Sequence, residues 1–363
     1  MSNIYYIGSA YMGCNYVRCL LPMWHNGWKG DVDSLTKGRK LPTQVREDLM
    51  KTDVAVFHRA DTLQHHKTAV LLKKLGKKIV FDNDDTFKTG DDRHTQNIYS
   101  DNFEENYNIK NGFIDSFVRN ADMVTTTTDF LAEEYKKLNK NVEVLPNYID
   151  VMDWDEPKRN EGEKVRIGIV NSVAYYNDFE VIQSYLKELS ERKDITLVLF
   201  GLHSKKQQKA NPKLSGLLDK EYDFWNGVDI EHAPWVEMSE YMSTLNGLEL
   251  DIMLIPRKDN YFNRCKSNLK FLEASMCEIP IVASSFHDGL SPYDYDLGVK
   301  NKHGCLGRLV STHEDWRREV EALINDKQLR RKLGRNARTY VVDNYNIEDN
   351  AYKWEEAYNK LNQ

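Results

Sequence analysis

The sequence predicts an α/β protein made of two doubly wound parallel-sheet domains that face a cleft, with helices at the C-terminal end. Three observations predict it. Short β-branched or aromatic runs alternate with segments of helical period along most of the chain. The alternation stops once, at a polar stretch, and then restarts. The chain has 363 residues, of which 40% are hydrophobic and 29% charged, a length and balance that supply two cores better than one.

In the first half, residues 3–7, 54–57, 78–82, 123–126 and 142–145 read as strands bounded by polar or turn residues. Residues 62–75 read as a helix with Ala69, Val70, Leu72 and Leu75 as its apolar positions. Residues 129–138 read as another, with Phe130, Leu131 and Tyr135 at helical spacing. The stretch 151–164 (VMDWDEPKRNEGEK) is polar, holds Pro157 and Gly162, and reads as the linker. Alternation restarts with a strand at 165–170 and a helix at 180–192, where Val181, Ile182, Tyr185, Leu186 and Leu189 share a face. Residues 195–200, 250–255 and 279–284 are continuous apolar runs, the pattern of strands covered on both faces. Residues 314–325, 326–340 and 347–361 read as helices. The implied division is an N-terminal domain over 1–155, a second domain over 164–340, and a C-terminal helix over 341–363 that packs back on the first. In doubly wound sheets, ligands bind beyond the carboxyl ends of the strands.

A net charge of -6 argues against a surface that binds nucleic acid all over, although a local basic groove stays open. The densest basic clusters are 73–78 (KKLGKK) and 205–209 (KKQQK). The plainer reading is solvated helix ends and loops. The sharper one is peripheral contact with an anionic membrane surface or with nucleic-acid phosphates. No run approaches the ~20 apolar residues of a membrane span, and the N-terminus shows no basic region followed by an apolar stretch. Five cysteines with no CxxC pair argue against a zinc site and a disulfide framework, and for a reducing, cytoplasmic compartment.

The most informative stretch is 263–276 (NRCKSNLKFLEASM), between two apolar strands. Ser267 is a good N-cap, so a helix starting there would aim free N–H groups at the cleft. Lys266 precedes the cap and Lys270 falls in the first turn, where a cation opposes the helix dipole and calls for an anion such as a diphosphate. Glu273, one turn on, can accept from ribose hydroxyls. An ordinary capped helix with solvated lysines explains the same residues. The segment 81–86 (FDNDDT) ends a strand with Asp82, Asp84 and Asp85. Three neighbouring carboxylates raise one another's pKa values, a cost that acceptor binding, a divalent metal or helix capping would each explain. Oxygen ligands suit Mg2+ or Mn2+. His58 and Arg59 end the neighbouring strand as acceptor-side candidates, His58 also as a base. Arg18 follows the first strand and is a further candidate, with a solvated arginine as the commoner case. Asn171 and Ser172 end the strand 165–170, placed either to meet donor phosphates or simply to turn the chain. Residues 8–13 (GSAYMG) lack the GxGxxG fingerprint.

Taken in order, these motifs resemble family 4 (group 1) glycosyltransferases of the GT-B fold. The cues are 266–274 (KSNLKFLEA) followed by 279–284 (IPIVAS), 121–131 (ADMVTTTTDFL) and 144–150 (VLPNYID) before the linker, and 165–172 (VRIGIVNS) after it. The resemblance implies two Rossmann-like domains, a nucleotide-sugar donor and no obligatory metal, with Mg2+ or Mn2+ as an alternative at the aspartates. It implies a donor site of Lys266, Ser267, Asn268, Lys270 and Glu273, with Asn171, Ser172 and Gly13 of the facing glycine loop. Glu273 would hold the ribose, and Lys266 or Lys270 would neutralise the diphosphate. Asp84 would take the place of a histidine that is catalytic in other members. Asp84, Asp85 and His58 are therefore the expected catalytic set, and Asp82, Arg59 and Arg18 the acceptor-binding one. The sequence departs from the family at Cys265, where a sugar-contacting glutamate belongs, and at Glu278, where a glycine is usual. The implied reaction is retaining transfer to a glycan or lipid-linked sugar. A hydroxymethylated DNA base is an alternative acceptor, and an inactive nucleotide-sugar-binding module is the alternative of another class.

Overall fold

The computed structural model describes residues 3–8, 13–32, 42–86, 103–170, 176–210, 215–298 and 301–362. They form two six-stranded sheets, each fully parallel. The first runs β2-β1-β3-β4-β5-β6, with β1 Ile4–Gly8, β2 Lys29–Val32, β3 Val54–His58, β4 Lys78–Asn83, β5 Met123–Thr126 and β6 Val142–Val144. The second runs β12-β11-β10-β7-β8-β9, with β7 Val165–Val170, β8 Ile195–Leu202, β9 Glu231–Pro234, β10 Ile252–Ile255, β11 Ile281–Ser284 and β12 Arg308–Val310. The strand order reverses beside β1 in one sheet and beside β7 in the other, the switch points where doubly wound folds bind ligands.

Sequence pattern finds nine of the twelve strands. The other three, β2, β9 and β12, all lie at sheet edges. An edge strand is covered less and needs no continuous apolar run, so KGDV, EHAP and RLV carry little signal. The helix Leu63–Lys74 is capped by Thr62, whose hydroxyl accepts from the His65 N–H at 3.2 Å. Of its four expected core positions, only Ala69 and Leu72 are buried. Val70, one step from Ala69, is turned away by a full 100°, and Leu75 is the exposed C-cap at the end of the helix.

Each sheet has apolar packing on both faces. The chain leaves the first sheet after Ile149 and comes back beside it. The Ile149 N–H donates to the Tyr345 carbonyl (3.0 Å) and the Ile347 N–H to the Ile149 carbonyl (2.8 Å). The final helices then place Ile347, Trp354 and Tyr358 in the core with Ile4, Tyr6 and Val80. Glu278 adopts φ +54, the left-handed region that explains a usual glycine there. The helix Lys327–Tyr345 passes so close that a Cβ on Gly334 would meet the Glu278 carbonyl oxygen at 1.9 Å.

Candidate active site

One wall of the site is the carboxyl edge of β3 and β4. After His58 the backbone turns through Arg59 at φ +50, a left-handed conformation uncommon outside glycine, and the Arg59 N–H is fastened to the Asp82 carbonyl at 3.0 Å. This turn throws the Arg59 guanidinium across the edge onto Asp84. Nε donates to Oδ1 at 2.6 Å and Nη2 to Oδ2 at 2.9 Å, a two-point pair that fixes both groups. His58 Nε2 lies 3.2 Å from the same Oδ1, while His58 Nδ1, also buried, has no hydrogen-bond partner among the described residues. Burial alone would raise the Asp84 pKa. Arg59 and His58 outweigh it and hold the carboxyl well below the usual 3.8. Arg59 Nη2 also donates to Cys14 Sγ at 3.2 Å. Burial pushes that thiol up to about 12, so it is no nucleophile at neutral pH.

The pKa rise expected from repulsion among the three aspartates is thus corrected for Asp84, because Arg59 pairs with its carboxylate at two points. Asp82 takes Arg18 at 3.1 and 2.6 Å and the Thr125 hydroxyl at 2.6 Å. Neither Arg18 nor Asp82 exposes any side chain, so their placement among acceptor-contacting groups is also corrected. They brace the wall from inside. Arg18 Nη1 further donates to the Leu145 carbonyl (2.5 Å) and to Asn147 Oδ1 (3.3 Å). Asp85, also buried, meets a cation from each domain: Lys266 Nζ donates to its Oδ2 at 2.6 Å, and Arg59 Nη2 lies 3.6 Å from the same oxygen.

The second wall is the segment between β10 and β11. The helix there is Leu269–Met276, starting one residue later than the Ser267 cap implies. Asn268 is the N-cap residue and its side chain does not cap. It donates instead to Asp296 Oδ2 at 2.7 Å, and Asp296 also accepts from the Tyr340 and Tyr345 hydroxyls. Ser267 Oγ is taken by Asn147 Nδ2 at 2.9 Å, which carries the Asp82–Arg18–Asn147 chain of hydrogen bonds across to the second domain. Lys266 lies over the Phe262 ring, 3.9 Å from its centroid. Lys270 already has an anion within the chain: its Nζ is 3.2 Å from Glu273 Oε2 and 3.0 Å from the Tyr241 hydroxyl, which itself donates to Glu273 at 2.7 Å.

Gly13 opens a short helix facing this wall, and a Cβ there would sit 3.8 Å from Met238 Sδ. Asn171 and Ser172 lie outside the described residues. Cys265, at the position of the missing glutamate, is fully buried in the first domain's core with Phe57, Phe81 and Tyr135. Among the described residues no group of His, Cys, Asp or Glu has an arrangement to hold a metal ion. The aspartate cluster does not fit one either, since its carboxylates are turned onto Arg18, Arg59 and Lys266. Sequence reasoning missed Asn147, Tyr241, Phe262 and Asp296. Each gains its place through a partner from 28 to 120 residues away or through a ring contact, which no local pattern signals.

No protein-family sequence model matches the chain, and no curated protein sequence does either. Solved structures do match in shape. Sucrose-phosphate synthase from Thermosynechococcus elongatus aligns with a TM-score of 0.64 at 14% identity over 99% of both chains. Anabaena HepE, solved with UDP and glucose, gives 0.62 at 12% identity over 99% of this chain and 100% of its own. A glycosyltransferase from Rickettsia africae gives 0.61 at 11% over 99% and 98%. At such identities the likeness is one of fold, and the fold is GT-B: two parallel six-stranded sheets with flanking helices, matched over the full length of the chain.

Proposed function

We propose that this chain is a glycosyltransferase that moves a sugar from a nucleotide-sugar donor to a hydroxyl acceptor. Residues 1–155 serve as the acceptor side, 164–340 as the donor side, and the segment from 341 returns to the first. The observation that carries the reading is the Lys266–Asp85 ion pair across the cleft, at the mouth of a helix whose first turn has no side-chain cap. A cation and free helix N–H groups at one point form an anion site. The first anion found there is a carboxylate borrowed from the opposite wall.

A donor diphosphate takes Lys266 away from Asp85. Lys266 and the N–H groups at Leu269 onward then stabilise the negative charge that builds on the departing diphosphate. Glu273, held by Tyr241 and Lys270, accepts from the ribose hydroxyls. Asp85, released, turns its carboxylate to the acceptor hydroxyl. Asp84 stays ionised and fixed by Arg59 beside the anomeric carbon. None of these groups is placed as a covalent nucleophile, so the retaining route we assign is front-side attack and not double displacement. HepE, a protein of the same fold, was solved with UDP and glucose, which supports a UDP-hexose donor; a glycan or lipid-linked sugar is the acceptor class we assign.

Thermal unfolding against UDP-, GDP-, ADP- and CDP-sugars tests this. A ligand that binds only the folded state at ~100 times its Kd adds about 2.7 kcal/mol. UDP-glucose is expected to raise Tm, with the shift lost in Lys266→Ala and Glu273→Ala and unchanged by EDTA. No shift with any donor overturns the proposal.

A further inference from the structure

We infer that the outer face of the helix Leu63–Lys74 is a docking surface for an anionic lipid bilayer. Among the described residues, four of the eleven exposed large hydrophobic side chains fall within these thirteen consecutive positions, 63–75: Leu63 at 49%, Val70 at 41%, Leu71 at 57% and Leu75 at 44% exposure. Leu75 is the C-cap at the end of the helix, and the other three lie on one side of it. At 100° per residue, Leu63, Lys67, Val70, Leu71 and Lys74 fall within one arc, opposite the buried His65, Thr68, Ala69 and Leu72. The helix therefore has two apolar faces, and only the inner one is covered.

Charge decides what the outer face meets. The chain carries a net -6, yet this helix has no acidic residue. Lys73 is engaged with the Asn120 carbonyl at 2.5 Å and lies 3.4 Å from Asp122. Lys67 and Lys74, in the middle of the aliphatic arc, have no ion pair among the described residues. Lysines interleaved with aliphatic side chains on one helical face suit a surface with negative headgroups above an apolar layer. Nucleic-acid phosphates would use the lysines and leave the four aliphatic groups in water, and a protein partner of opposite charge would not require a planar strip three turns long. The lipid surface uses both sets, and it does so without touching the cleft.

The test is co-sedimentation of the full chain with vesicles of equal parts phosphatidylglycerol and phosphatidylcholine, and with phosphatidylcholine alone. The chain is expected to pellet with the anionic vesicles and to be released by salt. Lys67→Glu/Lys74→Glu should weaken partitioning by about tenfold or more, and Val70→Ser/Leu71→Ser by about tenfold. All four positions are exposed, so unfolding curves should match those of the unaltered chain; Lys74→Gln alone serves if the double reversal does not fold. No partitioning, or partitioning that both double variants retain, overturns the inference. So does binding to duplex DNA that the lysine variant loses and the aliphatic variant keeps.

Discussion

Two buried carboxylates, one in each domain, have opposite fates. Asp84, on the first sheet's wall, is 8% exposed, and Glu221, in the second domain's helix Ser215–Trp225, is 1% exposed. Burial pushes both carboxyls toward the neutral form. At Asp84 the Arg59 fork and His58 reverse the push and hold the pKa well below 3.8. At Glu221, among the described residues, no cation is paired with the acid; it lies beside Trp225, its Oε2 has no hydrogen-bond partner, and burial raises it from 4.5 to about 7. Burial sets the cost and the partner sets the sign. At Asp84 the cleft wall thus keeps a buried carboxylate ionised, and it does so with a two-point arginine pair.

Removing a cation from that wall should have the largest effect. Arg18→Ala leaves Asp82 buried with only Thr125 as a donor, and breaking such a pair costs about 3–5 kcal/mol. A urea unfolding midpoint close to that of the unaltered protein would show that water reaches Asp82 and that the pair is no brace. Glu221 gives a smaller effect of a different kind. Its folded pKa is raised, so its contribution to stability is complete below 4.5 and is lost as pH rises through about 7. Glu221→Gln should therefore match the unaltered protein at pH 4 and be more stable at pH 8, by about 3 kcal/mol at most. Equal Tm values at pH 8 would mean that water already solvates this acid. Asp84 runs the other way. Its folded pKa is depressed, so its contribution is present above 3.8 and is lost as pH falls through the lower folded value. Asp84→Asn should flatten the acid limb of the Tm–pH curve and leave the Glu221 limb alone.

The same contrast explains what could be read from the sequence. The interior strands were legible because both their faces are buried and their residues are apolar throughout, as in VRIGIV at β7. Three of the four edge strands were not, and neither was the outward turn of Val70 and Leu75, since an apolar residue at helical spacing looks the same whether or not anything covers it. At the site, the clustering of Asp82, Asp84 and Asp85 was visible, and so was the need of Lys270 for an anion, which Glu273 supplies. The sign of the Asp84 shift was not, because it depends on Arg59, 25 residues away, held at a left-handed backbone angle. Nor was Arg18, whose burial follows from the Asp82 carboxylate 64 residues on.

The smallest effect bears on the one pair that crosses the cleft. Asp82 and Asp84 keep their cations within the first domain, and Asp85 alone takes its nearest cation from the second, with Arg59 farther off at 3.6 Å. If the donor diphosphate takes Lys266 from Asp85, the two anions compete, and the Asp85 charge weakens donor binding by the free energy of the pair it must give up. A part-buried pair of this kind is worth about 1 kcal/mol. Asp85→Asn keeps the shape and a hydrogen-bond acceptor but removes the charge, so UDP should bind about fivefold more tightly by calorimetry, while Lys266→Ala binds it less well. Sugar transfer should nevertheless slow in Asp85→Asn, because the carboxylate that the donor displaces is the one that then meets the acceptor hydroxyl. Tighter donor binding together with slower transfer is a combination that neither a purely structural carboxylate nor a direct donor ligand would give: the first would leave affinity unchanged, and the second would lower it.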